Sequence, residues 1–67
     1  MYTVIEMQNG IVGNNVWTFN SEEEAYSKYY AVLSVAAVSS VPVHGCMVVT
    51  AECNLIASRY FQHNVNP

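Results

Sequence analysis

The chain has 67 residues, of which 52% are hydrophobic and only 10% charged, and its net charge at pH 7 is −3. This composition excludes a disordered chain, which requires low hydrophobicity and high charge. Two basic residues are too few to neutralise a row of phosphates, which argues against direct binding to nucleic acid or to an anionic membrane surface. The length predicts a single domain over residues 1–67, near the lower limit for independent folding.

The first part of the chain predicts a β-hairpin. Residues 2–8 (YTVIEMQ) are rich in β-branched and aromatic side chains, and a second strand is expected over about Val16–Asn20. Asn9-Gly10 and residues 13–15 (GNN) tolerate the positive φ that a hairpin connection requires. An alternative places the tight turn at Asn9-Gly10 itself, with the return strand starting at Ile11.

A helix is predicted from Ser21 to about Ser39. The run Ser21-Glu22-Glu23-Glu24 is a capping box, and its carboxylates complement the positive end of the helix dipole. Apolar residues then occupy a wider arc than the roughly 100° expected of a surface helix. We therefore expect the sheet of the same subunit to cover one side of this helix and a neighbouring subunit to cover the other.

No Asp, Glu, Lys or Arg occurs from Tyr29 to Ala51. A chain of this size cannot bury such a segment in one small core, so the segment predicts a homo-oligomer. The residues expected at the subunit interface are Tyr29, Tyr30, Leu33, Val35, Val38 and Val41. A transmembrane helix is not expected, because the continuous helical part falls short of the roughly 20 residues of a span and is interrupted by Pro42 and Gly45.

A second hairpin is predicted after Pro42, with strands over His44–Thr50 and about Asn54–Phe61. The element order ββαββ predicts an α+β, two-layer domain with a four-stranded, mostly antiparallel sheet and one helix packed on one face. The other face of the sheet would still carry aromatic and aliphatic side chains. Exposed patches of this kind are typical of association sites.

Patterns that carry catalysis or bind metals are scarce. The chain contains no Asp, glycine-rich phosphate loop, HExxH or CxxC motif. Cys46 and Cys53 match no zinc or redox spacing, and we interpret them as free thiols in a reducing, cytoplasmic environment. His44 lies near Ser39 and Cys46, but the local sequence supplies no carboxylate to orient it. We therefore predict a protein that is not an enzyme, with no catalytic residue, no metal and no cofactor.

The remaining polar residues suggest a small-ligand site at a subunit boundary, within an otherwise apolar wall. The candidate ligand-binding residues are Ser39, Ser40, His44, Arg59 and Tyr60. A symmetric assembly repeats Arg59 near its axis, which would suit an anionic ligand although the monomer is acidic. The alternative is that both serines satisfy backbone groups at the helix end, while Arg59 pairs with Glu6 or Glu52 on the sheet surface.

The segments TVIEMQ, EEEAYSKYYAVLSVAAVSSVPVHGCMVV and SRYFQH together resemble a family of short proteins from Firmicutes bacteria and from their phages and prophages. The most specific part is AAVSSVPVH, residues 36–44, which joins the helix to the third strand. Members of this family often have an acidic-Gly turn where this chain has Glu52-Cys53-Asn54. The resemblance brings no established activity. It implies a mobile-element setting, in which small oligomeric proteins often act by binding.

The resulting hypothesis is a homo-oligomeric, non-enzymatic binding protein of phage or prophage origin in the cytoplasm of the host bacterium. It would counter host defence by sequestering a small nucleotide-like signal or by occluding a defence protein. Its expected partners are therefore a second copy of itself, a small anionic ligand or a host defence protein. The alternative is a phage structural or assembly module, such as a capsid decoration or scaffold protein.

Overall fold

The computed structural model describes residues 1–63, which form β1 (Tyr2–Gln8), β2 (Val16–Phe19), α1 (Glu22–Ala37), β3 (Val43–Thr50) and β4 (Leu55–Gln62). The strands make one four-stranded sheet in the order β2-β1-β3-β4, and every neighbouring pair is antiparallel. The helix α1 packs on one face of this sheet. The predicted α+β class and the ββαββ order are therefore confirmed.

The helix begins as the capping pattern predicts. Ser21 has extended backbone geometry, and its Oγ accepts a hydrogen bond from the Glu24 amide at 3.2 Å. The helix ends at Ala37, two residues before the predicted end at Ser39. The reason is local: Val38 leaves helical geometry (φ −114°, ψ 9°), and its N–H bonds the Val35 and Ala36 carbonyls as a cap.

The hairpin between β1 and β2 has its tight turn at Asn9-Gly10, as the alternative interpretation of the sequence proposed. Both residues have positive φ (56° and 81°), and Gln8 and Ile11 exchange two backbone hydrogen bonds of 3.0 Å. The chain then turns again at Gly13 (φ 58°), and β2 starts at Val16, as predicted. The return strand that the alternative started at Ile11 does not form, since Ile11 makes only an isolated bridge to Gln8.

The hairpin between β3 and β4 contains two irregularities. Cys53 has a φ of 67° in its turn, a left-handed conformation that glycine adopts without cost. The register then shifts, so that Val48 pairs with Ala57 but Val49 pairs with Leu55. Strict alternation along the strand would put Leu55 on the same side of the sheet as Ala57. The shift places it opposite Val49, on the other side.

The hydrophobic core lies between α1 and the two central strands, β1 and β3. Its buried members are small or of medium size, with Tyr29 as the largest: Val4, Ala25, Tyr29, Val32, Ala36, Cys46 and Val48. The half-buried rings of Trp17 and Phe19 on β2 pack against its edge. We call this side of the sheet the helix face.

The opposite side of the sheet, the open face, has no element packed on it within residues 1–63. Strand pairing assigns to it Thr3, Ile5, Met7, Val16, Thr18, Val43, Gly45, Met47, Val49, Leu55, Ser58, Tyr60 and Gln62. None of these side chains is charged. Its apolar members are half-buried by their strand neighbours or exposed, and Tyr60 is 65% exposed.

No helix of the described part of the chain is long and apolar enough to span a membrane.

Candidate functional site

A chain of hydrogen bonds through His44 is the most polar feature of the protein interior. His44 is 2% exposed and lies on β3, facing the helix side of the sheet. Its Nε2 lies 2.5 Å from Oε2 of Glu6 on β1, and its Nδ1 lies 2.8 Å from Oγ of Ser39, just after α1. The fold thus brings three elements that are distant in sequence to one buried ring.

The direction of these bonds follows from the chemistry of the partners. An ionised Glu6 carboxylate only accepts, so Nε2 of His44 donates to it. In the neutral ring Nδ1 then accepts, and the Ser39 hydroxyl donates to it. Ser39 Oγ in turn accepts from the Val41 N–H at 3.1 Å. Each side-chain polar atom that takes part in these hydrogen bonds therefore has a partner. No buried side-chain nitrogen or oxygen of residues 1–63 lacks one.

This arrangement is the serine–histidine–carboxylate connectivity in which a hydroxyl proton can pass to an imidazole. Its surroundings do not suit an acyl-transfer site, however. Ser39 follows the C-terminal end of α1, where helix carbonyls concentrate partial negative charge, whereas an oxyanion needs N–H donors. The network is therefore better suited to holding the crossing from α1 to β3 in place.

His63 supports the same region from the other side. Its Nε2 donates to the Ala36 carbonyl at 2.7 Å, and its backbone N–H donates to the Pro42 carbonyl at 2.7 Å. The Phe61 ring stacks on the His63 ring with centroids 6.4 Å apart. Both histidines of the chain thus stabilise the end of α1 and the segment that follows it.

Burial also changes the acidity of core groups beside this network. Desolvation, with a smaller contribution from the nearby Glu6 carboxylate, raises the pKa of the Cys46 thiol to about 11. Desolvation likewise raises the pKa of Tyr29. Electrostatic interactions with Cys46, Tyr30 and Tyr26 raise this pKa as well. The Cys46 thiol is therefore protonated at neutral pH and is a poor nucleophile.

The open face contains a cavity of about 450 Å³, bordered by residues that include Met7, Val43, Gly45, Met47, Ser58 and Tyr60. It lies in the size range of small-molecule sites, and most of its border is apolar. Gly45 forms part of it for a steric reason. A Cβ atom there would lie 2.6 Å from the Cβ of Tyr60 and 2.7 Å from the Arg59 carbonyl oxygen, so no larger residue fits without displacing β4.

The structure places the five candidate ligand-binding residues in separate regions. Ser39 and His44 bond each other on the helix face, whereas Ser40 is exposed and borders a second cleft of about 400 Å³ beside Asn9. Tyr60 lies on the open face. Arg59 borders the same cavity as Tyr60, but its guanidinium lies 4.9 Å from the Phe61 ring centroid. Both residues border this cavity, but Arg59 pairs with Cys46 and its side chain faces the helix side. Ser39, Ser40 and His44 lie away from the cavity.

The expected interface residues also differ in their accessibility. Tyr30, Val35 and Val38 are exposed, and Leu33 and Val41 are half-buried. Tyr29 is only 6% exposed and lies in the core of its own chain, so its side chain is not accessible to a second subunit. The exposed apolar surface is therefore divided between α1 and the open face.

Sequence reasoning missed Glu6 as the partner of His44. The earlier alternatives paired Arg59 with Glu6 or Glu52, whereas the ion-pair contact within residues 1–63 joins Glu6 to His44. A signal was present, because Glu6 shares its strand face with Val4, and a carboxylate on a buried face needs a partner. Nothing local indicated which residue would provide that partner 38 positions away.

Residues 1–63 contain no group of three or more His, Cys, Asp or Glu side chains arranged to hold a metal ion. Comparison of the chain with protein-family models, with curated proteins and with solved structures finds no match.

Proposed function

We propose that this chain is a non-enzymatic binding protein that acts as a homo-oligomer. The observation that carries the proposal is the open face: one whole side of the sheet is free of charge, and its apolar side chains are left partly exposed. Contiguous exposed apolar surface on a small protein is typical of association sites. The resemblance of the segment AAVSSVPVH supports a phage or prophage setting in a bacterial cytoplasm.

In that setting the protein counters a host defence, either by sequestering a small nucleotide-like signal or by occluding a defence protein. The cavity on the open face favours sequestration. Its apolar border and the flat ring of Tyr60 suit a planar ring, since aromatic side chains stack on nucleobases. Sequestration needs no catalytic residue.

Native mass spectrometry of the protein, purified gently from an infected or lysogenic host, tests this proposal. An oligomer with extra mass per site, lost on denaturation, would support sequestration and would give the mass of the ligand. A bare oligomer would favour occlusion of a protein or a structural, assembly role. A bare monomer would contradict the proposal. Tyr60→Ala, at the cavity, should lose the extra mass, whereas Tyr30→Ala, at a similarly exposed tyrosine on α1, should retain it.

A second candidate function, hydrolysis through Ser39, rests on the Ser39–His44–Glu6 connectivity. A fluorophosphonate probe tests it: Ser39 Oγ would bond the phosphorus, fluoride would leave, and the hydroxyl proton would pass to Nδ1 of His44. Ser40 is the matched control, because it is an exposed serine at the next position. Labelling of Ser39 but not Ser40, abolished by Glu6→Gln, would favour this candidate, and an unlabelled chain would eliminate it.

A further inference from the structure

We infer that the open face is a twofold interface on which a second copy of this chain lays its own open face, with Tyr60 of each copy covering the cavity of the other. This inference rests on the proposed homo-oligomeric function. The sequence led us to expect an interface centred on the helix. The inference instead places the interface on the open face, with Tyr60 as its central contact.

The charge distribution favours a second copy on this side. All seven charged residues of the chain lie off the open face: Glu6 and Arg59 face the helix side, four others lie in α1, and Glu52 lies in the turn after β3. A copy that approaches by its open face therefore meets no like charge. An approach through the start of α1 would bring Glu22, Glu23 and Glu24 of each copy together in a chain of net charge −3.

The shape of the face meets the requirement of a twofold contact, in which one surface must be complementary to itself. The open face carries both a projection and a recess. Tyr60 is a large aromatic side chain that is 65% exposed, and the cavity over Gly45 lies directly beside it. Face-to-face sheets pack about 10 Å apart with their side chains interdigitated, so a ring from one copy can cover the mouth of the recess of the other.

The same contact completes the candidate ligand site. The cavity is bounded by β3, β4 and the end of β1 but is open on its outer side in a single copy, where nothing within residues 1–63 covers it. A second copy supplies the missing wall and contributes its own Tyr60.

Two matched pairs of variants, measured by sedimentation equilibrium, test this interface. Tyr60 and Tyr30 are exposed to nearly the same extent, 65% and 62%, but lie on the open face and on α1 respectively. We expect Tyr60→Ala to weaken self-association at least tenfold and Tyr30→Ala to change it less than twofold. Met47→Glu should weaken it at least 100-fold, whereas Ser34→Glu on the exposed side of α1 should not. Far-ultraviolet circular dichroism checks that each variant is folded.

The outcomes separate this inference from the function on which it rests. A wild-type chain that stays monomeric at 100 µM would overturn both. An oligomer that is weakened by Tyr30→Ala or Ser34→Glu, but not by Tyr60→Ala or Met47→Glu, would overturn the open-face interface and leave the homo-oligomeric function standing. Weakening by the two open-face variants alone would support the interface.

Discussion

The two faces of this sheet are built from the same four strands, but in the part of the chain that the structure describes one face is covered by the chain itself and the other is not. The helix face is covered by α1, and it holds both the apolar core and the Glu6–His44–Ser39 network. The open face carries no charge and no cover within residues 1–63. Charged side chains and the buried polar network therefore lie off the open face, and the uncovered side carries only apolar and uncharged polar side chains.

This difference separates the surface that folds the chain from the surface proposed for self-association. A single core in a protein of this size supplies only a few kcal/mol, and here that core is made of small side chains. The buried polar network fixes the position of the segment between α1 and β3. Such networks contribute little net stability over an apolar replacement. Because the second face carries no charge, a partner could cover it without the cost of desolvating a charged group.

The largest expected effect comes from breaking the network on the helix face. Glu6→Ala leaves the buried His44 ring without its carboxylate, and we expect the free energy of unfolding to fall by about 3 kcal/mol. Glu6→Gln retains a hydrogen-bond acceptor and should cost only about 1 kcal/mol. Urea denaturation followed by circular dichroism measures both. Equal losses for the two variants would show that the hydrogen bond to His44 is not what stabilises this position.

The adjacent valines Val48 and Val49 sharpen the comparison, because they are neighbours on β3 but face opposite sides. Val48 is fully buried, so Val48→Ala should lower the free energy of unfolding by about 2 kcal/mol at any protein concentration. Val49→Ala should matter only where copies associate. Denaturation at 1 and 100 µM distinguishes them, and a concentration-independent loss for Val49→Ala would contradict its exposure to a second copy.

The helix face is also expected to make the fold sensitive to alkali. Burial raises the pKa of Cys46 from 9.0 to about 11, so the unfolded chain releases this proton first. The free energy of unfolding should therefore be unaffected by this group below pH 9 and fall by about 2 kcal/mol as the pH rises to 11. The raised pKa of Tyr29 acts in the same direction.

Cys46→Ala in a Cys53→Ser background isolates this effect. The variant should show a shallower decline in stability between pH 9 and 11 than the Cys53→Ser parent, in urea titrations at each pH. The variants are compared by the slope of the free energy of unfolding against pH. The absolute free energies are not comparable, because the alanine also leaves a small cavity. Parallel slopes would exclude the buried thiol as the cause.

The smallest effect concerns the turn between β3 and β4. Cys53 has a φ of 67°, a conformation that costs a residue with a Cβ about 1 kcal/mol relative to glycine. Cys53→Gly should therefore raise the free energy of unfolding by up to about 1 kcal/mol, and Cys53→Ala should not. A destabilised glycine variant in the same urea titration would indicate that the side chain has contacts of its own.

Much of the fold could be predicted because it depends on local chemistry. The strand alternation of residues 2–8 and the capping box at Ser21 set β1 and the start of α1, and the prolines and glycines located the breaks. The start of β2 at Val16 was also predicted. The bulge that pairs Leu55 with Val49 was not predicted. It depends on how β4 pairs with β3, which alternation within one strand does not encode.

The candidate site was less predictable for the same reason. The sequence alone determined the low charge, the uncharged third of the chain and the two-layer α+β class, because composition and short-range periodicity specify how much surface must be buried and in which elements. Only the tertiary structure decided that Glu6 meets His44, that Tyr29 belongs to the core and that Tyr60 lies beside a cavity over Gly45. Those relations arise from strand order and register, which bring together residues distant in sequence, such as Glu6 and His44, 38 positions apart.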